Sequence, residues 1–306
     1  MPEPTGGSGV LVANARMYSV TPSAAAAWKR LFAWLSAHAG VALEIIDHAF
    51  PAPLGALWER DDLGCAFMCG YPFMRAAPRP KALAAPVPAL RSGGRPGYVT
   101  DFVGGADSGF ETLPDTFGGR LGYTVADSHS GFNAVRHHLL RHRSAARPRL
   151  YARSVGPLYT PRRVIDALLA GEIDVGPLDG YALDLLRRHE PALAAALKVV
   201  DTTAPAPTPL LVASASCPDG IAARPTSSLM AFGDDPACAA LRETFVWPVS
   251  CPCRLEITRS SSPGSARLSR PATTRPGELH RVCSRAHPRM PGSRNPCALA
   301  HSMAMP

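Results

Sequence analysis

The sequence predicts an α/β protein of two lobes with a ligand cleft between them, and three observations lead there. Apolar extended segments alternate with segments of helical period from Gly9 to Cys69. The same alternation restarts at Arg120, and a proline-rich linker at 203–209 separates this second run from a last helix. The 306 residues suffice for two medium lobes, and an apolar content of 46% can fill their cores.

The first lobe opens on a strand, Gly9 to Tyr18, after which Thr21 and Pro22 supply an N-cap and a first-turn proline. Trp28, Leu31, Phe32, Leu35 and His38 then recur at i, i+3, i+4 and i+7, so one helix face packs. Val41 to Ile46 reads as a strand and Leu54 to Arg60 as a short helix. Leu63 to Cys69 is a continuous apolar run, as expected of a strand covered on both faces, and Gly70, Tyr71 and Pro72 after it read as a loop. The β-α-β-α-β order implies a parallel sheet with its functional loops at the carboxyl ends of the strands.

Tyr98 to Val103 is a further strand. In the second lobe Arg120 to Ala126 reads as a strand entering a long helix, Phe132 to His142. A helix at Pro161 to Leu169 closed by Gly171, a short strand at Asp174 to Leu178 and a helix at Tyr181 to Arg188 follow. Extended pieces at Lys198 to Val200 and Leu210 to Ala213 flank the linker, and Ala237 to Val246 starts a closing helix. The expected division is a disordered stretch at 1–8, a first lobe at 9–103 and 204–247, a second lobe at 104–203, and an irregular basic tail at 248–306.

The formal net charge of +8 is concentrated in that tail: residues 251–306 hold nine Arg, no Lys and two Glu, leaving the body almost neutral. A nucleic-acid partner, which needs basic surface to neutralise phosphates, is therefore not expected. The tail holds eight Pro and eight Ser without a sustained period, so it reads as disordered or as a stretch translated out of frame. Its Cys251, Cys253, His280, Cys283, His287 and Cys297 form no paired CxxC, while Cys65 and Cys69 sit in an apolar strand, so a disulfide scaffold is not expected. Residues 1–8 lack the features of a secretory signal, and no apolar run approaches the roughly 20 residues that span a bilayer. As written, the chain reads as soluble and unexported.

The strongest local signal is a strand, then Asp127, Ser128, His129, Ser130, Gly131, Phe132 and Asn133, then a helix. Free backbone N–H groups and the dipole at a helix start hold an anion without a basic side chain. Ser128 and Ser130 would add hydroxyls, and Gly131 would admit close approach to the backbone. The plainer alternative is that Ser or Asp caps the helix. Tyr18, Tyr71 and Tyr181 stand at strand ends where they could line one cleft with Tyr98, or simply pack. Asp179 could meet a cationic group or cap its helix. His138 and His142 have the i, i+4 spacing of some zinc sites, but with His137 they lie among Arg136, Arg141 and Arg143, which favours a solvated helix face and no metal. No Gly-x-Ser-x-Gly elbow surrounds the serines and no P-loop occurs, so neither chemistry is indicated.

Tyr18 after the first strand, the run Cys69 to Phe73, the run Asp127 to Asn133, the stretch Leu168 to Val175 and the run Leu178 to Tyr181 together resemble the phosphate/phosphonate substrate-binding proteins of ABC transporters, over roughly residues 9–247. The resemblance implies a type II periplasmic-binding fold, with an oxyanion held by Ser128, Ser130 and Gly131 and with Tyr71 and Asp179 in the cleft loops. His129 and Asn133 of the same run, with Tyr18, Tyr98 and Tyr181, complete the expected ligand contacts. His129 stands where a small hydroxyl residue is common, Pro225 to Ser228 interrupts what should be a helix, and the family's last helices have no counterpart after Trp247. The implied partners are a small oxyanion ligand and an ABC permease, with a monomeric chain and no cofactor. The implied location is the periplasm, or the cytoplasm if the start is as written. The alternative is a cytoplasmic lyase of the menaquinone-biosynthesis type on the same fold, which would need Asp179 or Asp127 as general base.

Overall fold

The apolar run at 63–69 lies at the heart of the first lobe. In the computed structural model, which describes residues 9–88 and 97–247, it forms β3 (Leu63–Met68), buried at every position. β1 (Leu11–Asn14) and β2 (Leu43–Ile45) join it in the parallel order β2-β1-β3. The crossovers are α1 (Pro22–Ala39) and α2 (Leu54–Trp58). Thr21 caps α1 as its position predicts, its Oγ1 accepting from the Ala24 N–H at 3.1 Å. The buried stripe Trp28, Leu31, Phe32 and Leu35 faces the sheet.

Past β3 the expected loop is instead a helix, α3 (Gly70–Arg75). Pro72 sits in its first turn, where the backbone N–H has no intrahelical partner to lose, so proline is compatible with helix there. β4 (Lys81–Ala84) runs at the far edge of the same sheet.

The chain leaves the first lobe through β5 (Gly97–Tyr98). β6 (Thr100–Gly105) then pairs antiparallel with β9 (Gly176–Asp179) and β10 (Leu197–Thr202) in a second sheet. Residues up to 103 are expected in the first lobe, whereas this strand pairs wholly in the second sheet. β7 (Arg120–Gly122) and β8 (Arg153–Val155) pair in parallel, and Leu121 bridges to Val175 just ahead of β9. The expected long helix starts with a π-helical turn, His129 to Asn133, and continues as α4 (Ala134–Leu139) and a 3-10 turn to His142. α5 (Pro161–Leu169), α6 (Gly180–His189) and α7 (Pro191–Ala195) complete this half. Val103, Val164, Ile165, Leu168, Ile173, Leu178 and Leu186 form its core.

The return passes through β11 (Ala206–Pro207), which pairs with β5, so the two crossing segments are bonded to each other. The Thr203 N–H also donates to the Thr100 carbonyl at 2.9 Å. β12 (Leu210–Ala213) then inserts antiparallel between β3 and β4, making the five-stranded sheet mixed rather than parallel throughout. α8 (Asp219–Phe232) runs unbroken through Pro225, contrary to the expected interruption. Ala222, Leu229 and Phe232 bury against the α1 side of the core, and this packing carries the helix past the proline. α9 (Ala239–Thr244) is followed by Phe245, which stacks on Trp28 at 4.0 Å, and by the buried Trp247. The expectations for 1–8 and 248–306 lie outside the described residues. No helix among the described residues is long and apolar enough to cross a membrane.

Candidate functional site

The strand ends of both lobes meet at a cavity of about 80 Å³. Arg16 and Tyr18, just past β1, line it from the first lobe, with Cys69 at the end of β3. From the second lobe come Thr124, Asp127, Ser128, Ser130 and Gly131, then Tyr159 and Thr160, then Asp179. Three of these residues are helix N-caps. The Ser128 Oγ accepts from the Gly131 N–H at 2.9 Å, the Thr160 Oγ1 from the Arg163 N–H at 3.2 Å, and the Asp179 Oδ1 from the N–H groups of Tyr181 and Ala182 at 2.9 and 3.2 Å. Positive dipole ends therefore converge on one small space.

The capping alternative for Ser128 and Asp179 is thus realised by the oxygens just named. The Ser128 O–H remains a donor. Gly131 is required by space: a Cβ there would lie 1.8 Å from the Thr124 Oγ1, so only glycine lets the helix start close on the strand end. The Thr124 Oγ1 is itself buried without a hydrogen-bond partner, as is the Tyr98 hydroxyl, which lies beside Ser130 without completing a bond. Buried hydroxyls left unpaired cost stability, and a ligand that pairs with them recovers it.

Asp179 also bridges the lobes, because the Tyr18 hydroxyl donates to its Oδ2 at 3.1 Å. Burial pushes the Asp179 carboxyl up to about 7, against the opposing pull of the Ala182, Tyr18 and Tyr181 hydrogen bonds. Burial likewise pushes the Cys69 thiol up to about 12. Tyr159 holds a left-handed φ of 66°, and its ring packs against Phe50 of the first lobe at 4.8 Å.

Of the expected site residues, Tyr18, Ser128, Ser130, Gly131 and Asp179 come together at the cavity. Tyr98 and His129 stand behind the lining with rings 6.1 Å apart, and burial lowers the His129 pKa. The Asn133 Nδ2 lies 3.3 Å from the His129 Nδ1, away from the lining. Tyr181 is a packing residue: its ring meets Tyr18 edge-on at 4.8 Å and its hydroxyl donates to the Phe245 carbonyl at 3.0 Å. Tyr71 lines a larger neighbouring cavity of about 470 Å³ with Arg75 over its ring, and Trp58 and Asp127 border both spaces. Arg16, Thr124 and Thr160 were not anticipated. Arg16 corrects the expectation of a site without a basic side chain. Its Nη1 donates to the Ala52 carbonyl, which holds the half-buried guanidinium at the cavity wall.

The family model described as "ABC transporter, phosphonate, periplasmic substrate-binding protein" matches residues 19–247. The chain belongs to this family. Among solved structures, this family member is similar to a binding protein component of an ABC phosphonate transporter from Pseudomonas aeruginosa, with TM-score 0.64, 17% identity, and coverage of 78% of this chain and 79% of that one. PhnD1 from Prochlorococcus marinus, in complex with methylphosphonate, is similar at TM-score 0.64 and 13% identity over 79% of this chain and 91% of that one. The arginine-, lysine-, histidine-binding protein ArtJ from Geobacillus stearothermophilus is similar at TM-score 0.52 and 11% identity, over 78% and 95%. These likenesses show the type II periplasmic-binding fold for this phosphonate-family chain. No curated protein matches it.

Proposed function

We propose that this chain is a non-catalytic binding protein that holds a small oxyanion, a phosphonate or phosphate, for an ABC permease. The observation that carries the reading is the convergence of the helix starts at Ser128 and Thr160, the guanidinium of Arg16 and the unpaired Thr124 hydroxyl on one small cavity. Its size supports a tetrahedral oxyanion with a small substituent, since an apolar void of roughly 150 Å³ is what takes up benzene. A longer substituent would pass Trp58 and Asp127 towards the Tyr71 cavity. Membership of a periplasmic substrate-binding family supports work outside the cytoplasm.

The lyase alternative has one supporting feature, the Asp179 carboxyl at about 7, which suits a general base. Both Asp179 oxygens are already engaged, by two backbone amides and by Tyr18, and this supports a structural and binding role instead. Calorimetry of the purified chain with methylphosphonate and with phosphate tests the proposal. One ligand per chain is expected, and Ser130→Ala should weaken it by about 1.5–3 kcal/mol, the range for a hydrogen bond to a charge. Equal affinity in that variant removes the site.

A further inference from the structure

His138 and His142 are expected on a solvated helix face, but His138 is only 6% exposed and faces into the second lobe. Its Nε2 lies 2.8 Å from the Oδ2 of Asp201, a residue of β10 some sixty positions further along the chain. His142, one helical turn after His138, brings its own nitrogen to the same point. One ligand atom from each of the three residues lies within 4.8 Å of the others.

The space among them holds the side chain of Arg141. Its Nη2 lies 2.7 Å from the His138 Nε2 and 2.7 Å from the Asp201 Oδ2, and its Nε donates to the His142 Nε2 at 3.1 Å. A guanidinium only donates, so the His142 Nε2 presents a lone pair to a positive charge. The His138 Nε2 has one position to offer, and either accepts from Arg141 or donates to Asp201. A cation is thus already seated where three potential ligands converge. The surroundings hold those ligands in place: Phe102 packs on the His138 ring at 5.1 Å, Phe117 meets His142 edge-on at 5.3 Å, and the Thr202 N–H holds the Asp201 Oδ1 at 2.7 Å, leaving Oδ2 to face inwards.

We propose that His138, His142 and Asp201 form a binding site for a divalent transition-metal ion of the zinc class, which Arg141 fills as a resident cation and vacates to solvent when the ion enters. Two imidazole nitrogens and one carboxylate oxygen are a ligand set that zinc accepts, with the fourth position left to water. Zinc bonds of about 2.0–2.2 Å at tetrahedral angles place ligand atoms roughly 3.3–3.5 Å apart, so closing from the present spacing needs a shift of at most about 1.5 Å. Side-chain rotation supplies that, because His142 and Asp201 are only partly buried. The Arg141 side chain is 56% exposed, and an exposed ion pair of this kind contributes little that its departure would forfeit.

The test uses the full chain, stripped with chelator and titrated with Zn²⁺ by calorimetry and with Co²⁺ by absorption. The expected result is one ion per chain and a cobalt spectrum of nitrogen and oxygen ligands without thiolate charge transfer. His142→Ala and the near-isosteric Asp201→Asn should each weaken Zn²⁺ by at least about tenfold, while Arg141→Ala retains or strengthens it. Melting without metal establishes that each variant is folded, and Asp201→Asn carries the test if His142→Ala is not. The site is overturned if the wild type binds no Zn²⁺, if His142→Ala or Asp201→Asn binds it as the wild type does, or if the cobalt spectrum is that of cysteine thiolate.

Discussion

At the residue scale, Asp179 couples the site to pH. Its unfolded carboxyl titrates near the usual 3.8 and its folded one near 7, because burial penalises the charged form. The folded state therefore holds this proton more tightly. The stability so gained is complete below about 4 and is lost as pH rises through about 7. Asp179→Asn, which cannot ionise, should raise the melting temperature more at pH 8 than at pH 5; equal shifts at both would contradict the raised pKa. An oxyanion beside the ionised carboxylate is repelled, so the ratio of wild-type to Asp179→Asn affinity, in which the ligand's own titration cancels, should rise as pH falls through about 7. The places of Ser128, Ser130, Gly131 and Asp179 at the cavity were legible in the sequence because they are local, set by a strand end running into a helix start. Arg16, Thr124 and Thr160 were not, because each becomes a wall of the cavity only when separate loops are folded together. The clue available for Thr124 was its place at the end of the strand that feeds the Asp127 loop.

At the scale of elements, the α8 helix shows packing overriding a local signal. A proline inside a helix costs about 3 kcal/mol through a lost hydrogen bond and a steric clash. Pro225 is nevertheless buried in mid-helix, and the neighbouring Thr226 hydroxyl donates to the Ala222 and Leu83 carbonyls at 3.1 and 3.2 Å. Pro225→Ala should restore the helical bond while giving up two buried methylenes at about 0.8 kcal/mol each. The net expectation is a gain of about 1–2 kcal/mol in chemical denaturation, and a loss would show that the ring fills space the helix needs. The same competition explains Pro72, read from sequence as part of a loop and found in a first turn, where the missing N–H is immaterial. The parallel start of the first sheet was legible from its alternating elements. The antiparallel β12 was not, because its partners β3 and β4 lie more than a hundred residues earlier.

For the whole molecule, the hydrogen bond from the Tyr18 hydroxyl to Asp179 joins the lobes at the cavity, beside the bonds that tie Tyr181, Arg188 and His189 of α6 to Phe245, Glu243 and Thr244 of the first lobe. Tyr18→Phe removes it and leaves a buried carboxylate oxygen without its donor, a loss of about 1–3 kcal/mol. Each 1.4 kcal/mol shifts a closed-to-open ratio about tenfold. Small-angle scattering of the ligand-free variant should therefore show a larger radius of gyration, restored by saturating methylphosphonate. An unchanged radius would assign closure to the other inter-lobe contacts instead, those of Phe50 with Tyr159 and Arg163 and those of α6 with Glu243, Thr244 and Phe245.

The placing of β12 between β3 and β4 bears on how the chain is made. On the ribosome, β3 emerges well before the strand that flanks it, and the second lobe is synthesised in between. Until residue 213 is out, a fully apolar strand keeps one open edge, the kind that recruits other chains. The first lobe is thus a bracket that closes only after its contents are complete. Pairing at such sequence distance is slow, and the nascent protein stays vulnerable to aggregation while residues 69–213 are made.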